Sequence, residues 1–171
     1  MTGGMDNPVG LAFTAEGERI LSGTFFQNPE GGKRDGLIHA LYGGVYGKPN
    51  DALEGHPRTG DLLPIMTHLG AAAPAGLMRY ESDVFGKEFQ NNLFVACFNM
   101  HKIVRCEMQP SGATYKTTDS DFLVSDNPDF HPTDVLEDAD GSLIVVDTGG
   151  WYKLCCPTSQ LHKPDVLGGI Y

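Results

Sequence analysis

Asn7-Pro8-Val9-Gly10-Leu11 opens the first apolar segment of the chain, and its five-residue pattern occurs twice more. The pattern is a residue before proline, the proline, any residue, a glycine or aspartate, and an apolar residue. The other copies are Ala73-Pro74-Ala75-Gly76-Leu77 and His131-Pro132-Thr133-Asp134-Val135. The prolines stand 66 and 58 residues apart, a spacing that suits one small antiparallel sheet with its connections. The repeat therefore predicts blades of a β-propeller, and a chain of 171 residues holds about three of them.

Each copy of the pattern leads, after a turn, to an apolar run typical of a β-strand. These runs cover residues 20–26, 93–98 and 143–146. They lack the strict polar–apolar alternation of a sheet with one wet face, which indicates sheets covered on both faces. An Asp140-Gly141 pair marks a hairpin turn in the third copy. A two-sheet sandwich is the alternative, and the recurring proline pattern favours the propeller.

The sequence thus predicts an all-β fold, a partial β-propeller of about three blades of antiparallel strands. The expected blades cover residues 1–60, 61–125 and 126–171, and no second domain is expected. The first copy lies close to Met1, and the last apolar stretch, 166–171, reaches the end of the chain. Both observations lead us to expect a fragment of a longer protein.

The chain is acidic, with a formal net charge of −10 and a pI near 4.8. Nucleic acids and anionic membranes require clustered Lys and Arg, so neither is expected as a partner. Residues 1–4 lack the basic start and apolar stretch of a signal peptide. No run is long enough to cross a bilayer.

The four cysteines stand at positions 97, 106, 155 and 156. They form neither a CxxC nor a CxxCH motif, so the sequence supports neither a zinc ribbon nor a c-type haem site. A predicted hairpin turn at residues 99–102 places Cys97 opposite Val104 and Cys106 opposite Val95, and these two thiols are then not partners. Cys155 and Cys156 form either a strained vicinal disulfide or two buried thiols.

The best-placed candidates for catalysis lie in the loops before the inner strands, because these loops surround the central channel of a propeller. His131 occupies the position held by Asn and Ala in the other copies. An imidazole has a pKa near neutrality and could remove a proton from an alcohol. Asp134 could orient the ring. The alternative is that both side chains only bond loop backbone.

Four further residues are candidates for binding. His68 could approach the channel from the neighbouring blade, and Arg58 could clamp a carboxylate or sugar hydroxyl. Trp151 could stack on a sugar ring, and Asp147 could bind calcium through its carboxylate. Their structural alternatives are a loop-packing histidine, a local ion pair with Asp61, core packing of the indole, and closure of a turn by the carboxylate.

Several longer motifs resemble a known group of propellers. The repeat pattern and Phe85-Gly86-Lys87-Glu88-Phe89, followed by the strand at 92–96, resemble the glucose/sorbosone dehydrogenase-like six-bladed propellers. The stretches 131–142, 146–157 and 163–168 are similar, more specifically, to the propeller portion of the membrane-bound dehydrogenases also called PVC-type haem-binding CxxCH proteins. This resemblance covers nearly the whole chain.

The resemblance implies an exported or periplasmic parent in which cytochrome c-like and helical-repeat segments follow the propeller. Quinoprotein members bind pyrroloquinoline quinone and calcium on the top face and use a histidine as base. The resemblance therefore implies oxidation of a sugar or alcohol, with electrons passing to a haem module absent from this chain. It also implies the remaining propeller blades as partners. No quinone-binding motif of that family matches here. The alternative function is a non-catalytic propeller module that binds carbohydrate or a partner domain.

Overall fold

The computed structural model describes residues 2–24, 35–47, 53, 57–150 and 163–171. These residues form three antiparallel sheets. The first contains β1 (Leu11–Phe13), β2 (Arg19–Gly23), β3 (Asp35–His39) and β4 (Thr67–Gly70). The second contains β5 (Pro74–Arg79), β6 (Leu93–Cys97), β7 (Lys102–Ser111) and β8 (Thr114–Val124). The third contains β9 (Pro132–Glu137), β10 (Leu143–Asp147) and β11 (Gly169–Ile170).

Within each sheet, strands that follow one another in sequence pair antiparallel to one another. This up-and-down order is the construction of a propeller blade, with β1, β5 and β9 as the inner strands. The predicted all-β, partial-propeller fold is confirmed. Among the described residues, no helix is long and apolar enough to span a membrane. Because β4 belongs to the first sheet, we propose that the first blade extends to Gly70 rather than to residue 60.

The core lies between the sheets and covers the second sheet on both faces. Leu93, Val95 and Cys97 of β6 pack with residues of the first sheet, among them Ile20. Phe94 and Ala96, which alternate with them, pack in a cluster with Val135 and Val145 of the third sheet and with Tyr80 of the second. Each such side chain contributes roughly 1.5–3 kcal/mol when fully buried. This two-sided burial explains why the strand has no polar residue.

The inner strands approach one another most closely at the fourth position of the repeated pattern. A Cβ on Gly10 would lie 2.6 Å from Cβ of Leu77, and a Cβ on Gly76 would lie 2.6 Å from Cα of Asp134. Both separations are far below van der Waals contact, so no side chain fits at either glycine. The glycine of the pattern therefore makes room for the inner strand of the next sheet.

The predicted pairing of the β6–β7 hairpin was wrong by two residues. Cys97 pairs with Lys102, and Cys106 pairs with Leu93. The turn covers residues 98–101 instead of 99–102, because Phe98–Met100 form a short 3-10 turn and His101 adopts the left-handed conformation. Cys97 and Cys106 are both buried free thiols, so the expectation that they are not bonded to each other holds.

Candidate functional site

The candidate site lies at the end of the sheets where the inner strands begin, here called the leading end. Neighbouring inner strands run in the same direction, since Gly10 meets the backbone around Gly76 and Arg79 Nε donates to the carbonyl of Phe13. Gly76 meets Asp134 in the same way one sheet further on. The residues before the repeat prolines therefore share this end.

Three contacts hold His131 at the leading end. Only 5% of its surface is exposed, and its ring packs against Phe98 with centroids 4.8 Å apart. Its Nδ1 lies 3.0 Å from the carbonyl oxygen of Asp129, and its backbone N–H donates to Oδ1 of Asp147 at 2.9 Å. Because a carbonyl can only accept, Nδ1 carries the hydrogen. The basic nitrogen of the neutral ring is therefore Nε2.

Burial lowers the pKa of His131, because desolvation disfavours the charged ring. The proximity of His101 also lowers this pKa, whereas the carbonyl of Asp129 and the carboxylates of Asp147 and Asp129 raise it. The net shift is downward from 6.5. His131 is therefore neutral at physiological pH and able to accept a proton.

Asp134 does not orient His131 as we had expected. Its Oδ1 accepts a hydrogen bond from the N–H of Val135, and its carboxylate lies against Gly76. Residues three apart on a strand point to opposite faces, which separates this carboxylate from the imidazole. The carboxylate that holds the His131 backbone belongs to Asp147, at the end of the neighbouring strand β10.

Asp147 is buried and closes the turn after β10. Its Oδ1 accepts hydrogen bonds from the backbone N–H groups of His131 and Gly149, both at 2.9 Å. This is the structural role given above as the alternative to calcium binding. Among the residues that the structure describes, no group of three or more His, Cys, Asp or Glu side chains could hold a metal ion.

Sequence analysis missed His101, which lies in the turn before β7. Its Nδ1 lies 2.6 Å from the carbonyl oxygen of Phe130, and its ring centroid is 5.1 Å from that of His131 at an interplanar angle of 74°. The predicted turn at residues 99–102 contains this histidine, but nothing in the sequence pattern indicated a contact outside the hairpin. Its contact with His131 joins two different sheets.

The predicted binding residues lie elsewhere. His68 is on β4, the outermost strand of the first sheet, so it does not stand beside the inner strands as expected. It lines an open groove of about 380 Å³ with Lys102, Asp119 and Asp121. Arg58 lines a separate cleft of about 450 Å³ whose lining includes Tyr42 and Asp61 but not His131. Trp151 lies outside the described residues.

Sequence comparison places the chain in a family. A family model described as "Domain of unknown function (DUF7133)" matches residues 51–165. The chain belongs to this family. No curated protein matches the chain in sequence.

Solved structures similar to this DUF7133 chain include sugar dehydrogenases with a β-propeller fold. The soluble aldose sugar dehydrogenase from Escherichia coli in its apo form has 23% identity and a TM-score of 0.63, over 85% of this chain and 43% of its own. The PQQ-bound aldose sugar dehydrogenase from Streptomyces coelicolor has 18% identity and a TM-score of 0.59, over 98% of this chain and 44% of its own. This chain thus spans less than half of either dehydrogenase. Identities this low show a shared fold.

The described residues of the DUF7133 chain do not fit the cofactors that the resemblance implies. Calcium takes six to eight oxygen ligands, and Asp147 Oδ1 is already used by two backbone N–H groups. Pyrroloquinoline quinone is a tricarboxylate that calls for cationic side chains. His131 instead faces the carboxylates of Asp129 and Asp147, and the nearby Lys163 pairs with Asp129. We therefore assign no step to either cofactor.

Proposed function

We propose that this chain is the propeller segment of a dehydrogenase that oxidises a sugar or alcohol, with His131 as the base. The observation that supports this most directly is the state of the His131 ring. It is buried at the leading end, its Nδ1–H is fixed on the Asp129 carbonyl, and its pKa is lowered. The shared fold with sugar dehydrogenases supports the reaction class.

In the proposed reaction, Nε2 of His131 accepts the hydroxyl proton of the substrate while the carbinol C–H leaves as hydride. The electron pair of the O–H bond becomes the second C–O bond of the carbonyl product. The hydride, which carries the C–H pair, passes to a quinone-class acceptor added from solution rather than to a cofactor held by the described residues. The protonated ring keeps its Nδ1–H bond to Asp129, and the nearby carboxylates of Asp129 and Asp147 stabilise its charge. Asp134 has no part in the proposed reaction, since its carboxylate accepts a hydrogen bond from the N–H of Val135 in the same strand.

We also propose that further blades of a longer, exported parent cover the outer faces of this segment and that a cytochrome c-like module receives the electrons. The exposure of the residues at equivalent positions of the repeat supports the proposal of further blades. Leu77 is 7% exposed and Val135 is fully buried, each against the preceding sheet, whereas Leu11 is 49% exposed on the first sheet. The face around Leu11 therefore suits one more sheet.

The test uses the intact parent supplied with a quinone and calcium, with dye reduction by a panel of sugars as the readout. His131→Ala should reduce kcat by at least about 100-fold, the usual contribution of a general base. Lys116→Ala, on the outer strand β8, is the matched surface control and should keep wild-type turnover. An active parent in which His131→Ala keeps its turnover would refute the assignment of the base.

The alternative function, a carbohydrate-binding module, is supported by the cleft at Arg58. This cleft places a guanidinium near Tyr42, whose side chain is 84% exposed, and near the carboxylate of Asp61. An exposed aromatic ring beside charged hydrogen-bonding groups suits a sugar ring. This function is favoured over catalysis if the parent is redox-inactive but binds glycan, and if both Arg58→Ala and Tyr42→Ala abolish that binding.

A further inference from the structure

We propose that His101 is a positioning residue for His131, which fixes the orientation of the His131 ring and affects its basicity from the neighbouring sheet. The inference rests on the proposed function, since it gives His101 a part in the same proton transfer. The two residues belong to different sheets, and nothing in the sequence pattern links them.

His101 makes hydrogen bonds that connect the second sheet to the loop before His131. His101 ends the 3-10 turn in the left-handed conformation, at φ 55° and ψ 39°. From there its Nδ1 bonds the carbonyl of Phe130, the residue immediately before His131, at 2.6 Å. Its backbone carbonyl accepts from the N–H of Ser125 at 2.9 Å, which ties the same turn to the end of β8. His101 thus joins the second sheet to the loop that carries His131.

The hydrogen bonds of His101 and His131 fix the direction of their ring nitrogens. Both Nδ1 atoms lie against backbone carbonyls, on Phe130 for His101 and on Asp129 for His131. A carbonyl accepts only, so both rings adopt the Nδ1–H tautomer when neutral. His131 then gains or loses its proton at Nε2. The packing of one ring against the other, near perpendicular at 5.1 Å, restricts the rotation of His131.

His101 also affects His131 electrostatically. Two like charges within about 4–6 Å of each other shift each other's pKa by an amount on the order of one unit. The ring centroids are 5.1 Å apart, and the proximity of His101 contributes to the lowered pKa of His131. The carboxylates of Asp129 and Asp147 also face His131 and favour its charged form, with Lys163 paired to Asp129. Replacing His101 should therefore change the pKa of His131.

The experiment is a histidine titration by NMR in the full-length protein labelled with ¹³C at Cε1, from about pH 4.5 to 8.5. The wild-type curve of His131 is the reference. His101→Asn keeps a neutral residue that tolerates the left-handed backbone. This variant should raise the pKa of His131 by about 0.5–1 unit.

Two further variants sharpen the test. His101→Lys places a permanent charge beside His131 and should lower its pKa, opposite to the effect of Asn. His68→Asn, on the outermost strand of the first sheet, is the matched control and should leave the His131 curve unchanged. If His101→Asn fails to fold, His101→Lys decides. A His131 curve that is identical to the wild-type curve in the variant that folds overturns the proposal.

Activity measurements separate this inference from the proposed function. In an active parent, the acid limb of the kcat/KM–pH profile should move with the pKa of His131 in the Asn and Lys variants. An inactive parent that still shows the NMR shifts supports the role of His101 and refutes the dehydrogenase assignment. An active parent without the NMR shifts supports the dehydrogenase and refutes the role of His101.

Discussion

Oδ1 of Asp147 accepts a hydrogen bond of 2.9 Å from the backbone N–H of His131. Asp35 holds the N–H of Ala73 in the same way, at 2.8 Å. Both acceptors are buried aspartates, and both donors directly precede a repeat proline. A buried carboxylate therefore tethers the start of two of the three inner strands, from the paired strand β10 in one case and from β3 of the preceding sheet in the other.

Removing this tether should destabilise the third sheet. Asp147→Ala leaves the N–H groups of His131 and Gly149 buried without their acceptor and should lower the free energy of unfolding by about 2–3 kcal/mol. Asp147→Asn keeps an acceptor oxygen and should cost less. Urea denaturation measures both, and the exposed Asp126→Ala is the control. Equal stability of the Asp147 and Asp126 alanine variants would contradict the tether.

The lowered pKa of His131 predicts that the fold loses stability in mild acid. Its pKa in the folded chain lies below the unfolded value of 6.5, so the unfolded chain binds more protons between the two values. The free energy of unfolding should therefore fall as pH decreases through 6.5 and level off below the folded pKa. The comparison is between wild type and His131→Gln by urea denaturation at several pH values. If the free energy of unfolding of the wild type and of His131→Gln shows the same slope against pH in this window, His131 makes no contribution and the prediction is wrong.

Gly76 should tolerate no side chain. Gly76→Ala would place Cβ 2.6 Å from Cα of Asp134 and should destabilise the protein by roughly 2–3 kcal/mol through displacement of the inner strands. Gly60→Ala is the matched control, because nothing lies within 4 Å of its added Cβ. Thermal unfolding followed by circular dichroism compares the two. A Gly76 variant as stable as the Gly60 variant would refute the close approach.

The buried thiols should be inert in the folded protein. Burial raises the pKa of Cys97 to about 12, and it also raises the pKa of Cys106. At pH 8 almost none of either thiol is ionised, so alkylation by iodoacetamide should be slow until the protein is unfolded. Peptide mass mapping reads each cysteine separately. Rapid labelling of Cys97 under native conditions would be inconsistent with its burial.

The outer face of the first sheet should cause the isolated chain to associate. Val9, Leu11 and Phe13 are all about half or more exposed on the inner strand and the residues that lead into it. Leu11→Asp with Phe13→Asp should reduce the apparent mass measured by light scattering. Tyr42→Asp changes an exposed aromatic residue in a different loop and serves as control. A wild-type chain that is already a stable monomer would exclude this association.

The repeat made the fold predictable, because its prolines mark the inner strands and its glycines mark their contacts. The apolar run at residues 93–98 correctly indicated a sheet covered on both faces, as Phe94 and Val95 show by packing on opposite sides. The β6–β7 register was not predictable, because Phe98 turns inward to pack on His131. That contact depends on a sheet that follows later in the chain.

The surroundings of His131 were only partly predictable. Asp134 was chosen for its nearness in sequence, although strand alternation separates it from the ring. The Asp140-Gly141 turn contained a better signal, since a hairpin around it places Asp147 opposite Pro132. His101 had no such signal, because its contact with His131 is made only when the second and third sheets pack together.

The two glycines that face the next inner strand have a geometric consequence for the packing of the three sheets. Because Gly10 and Gly76 have no side chain, adjacent inner strands lie nearly in contact at these positions. Any larger residue there would push the inner strands apart and open a gap between neighbouring sheets. How narrowly the described sheets converge therefore depends on two missing side chains.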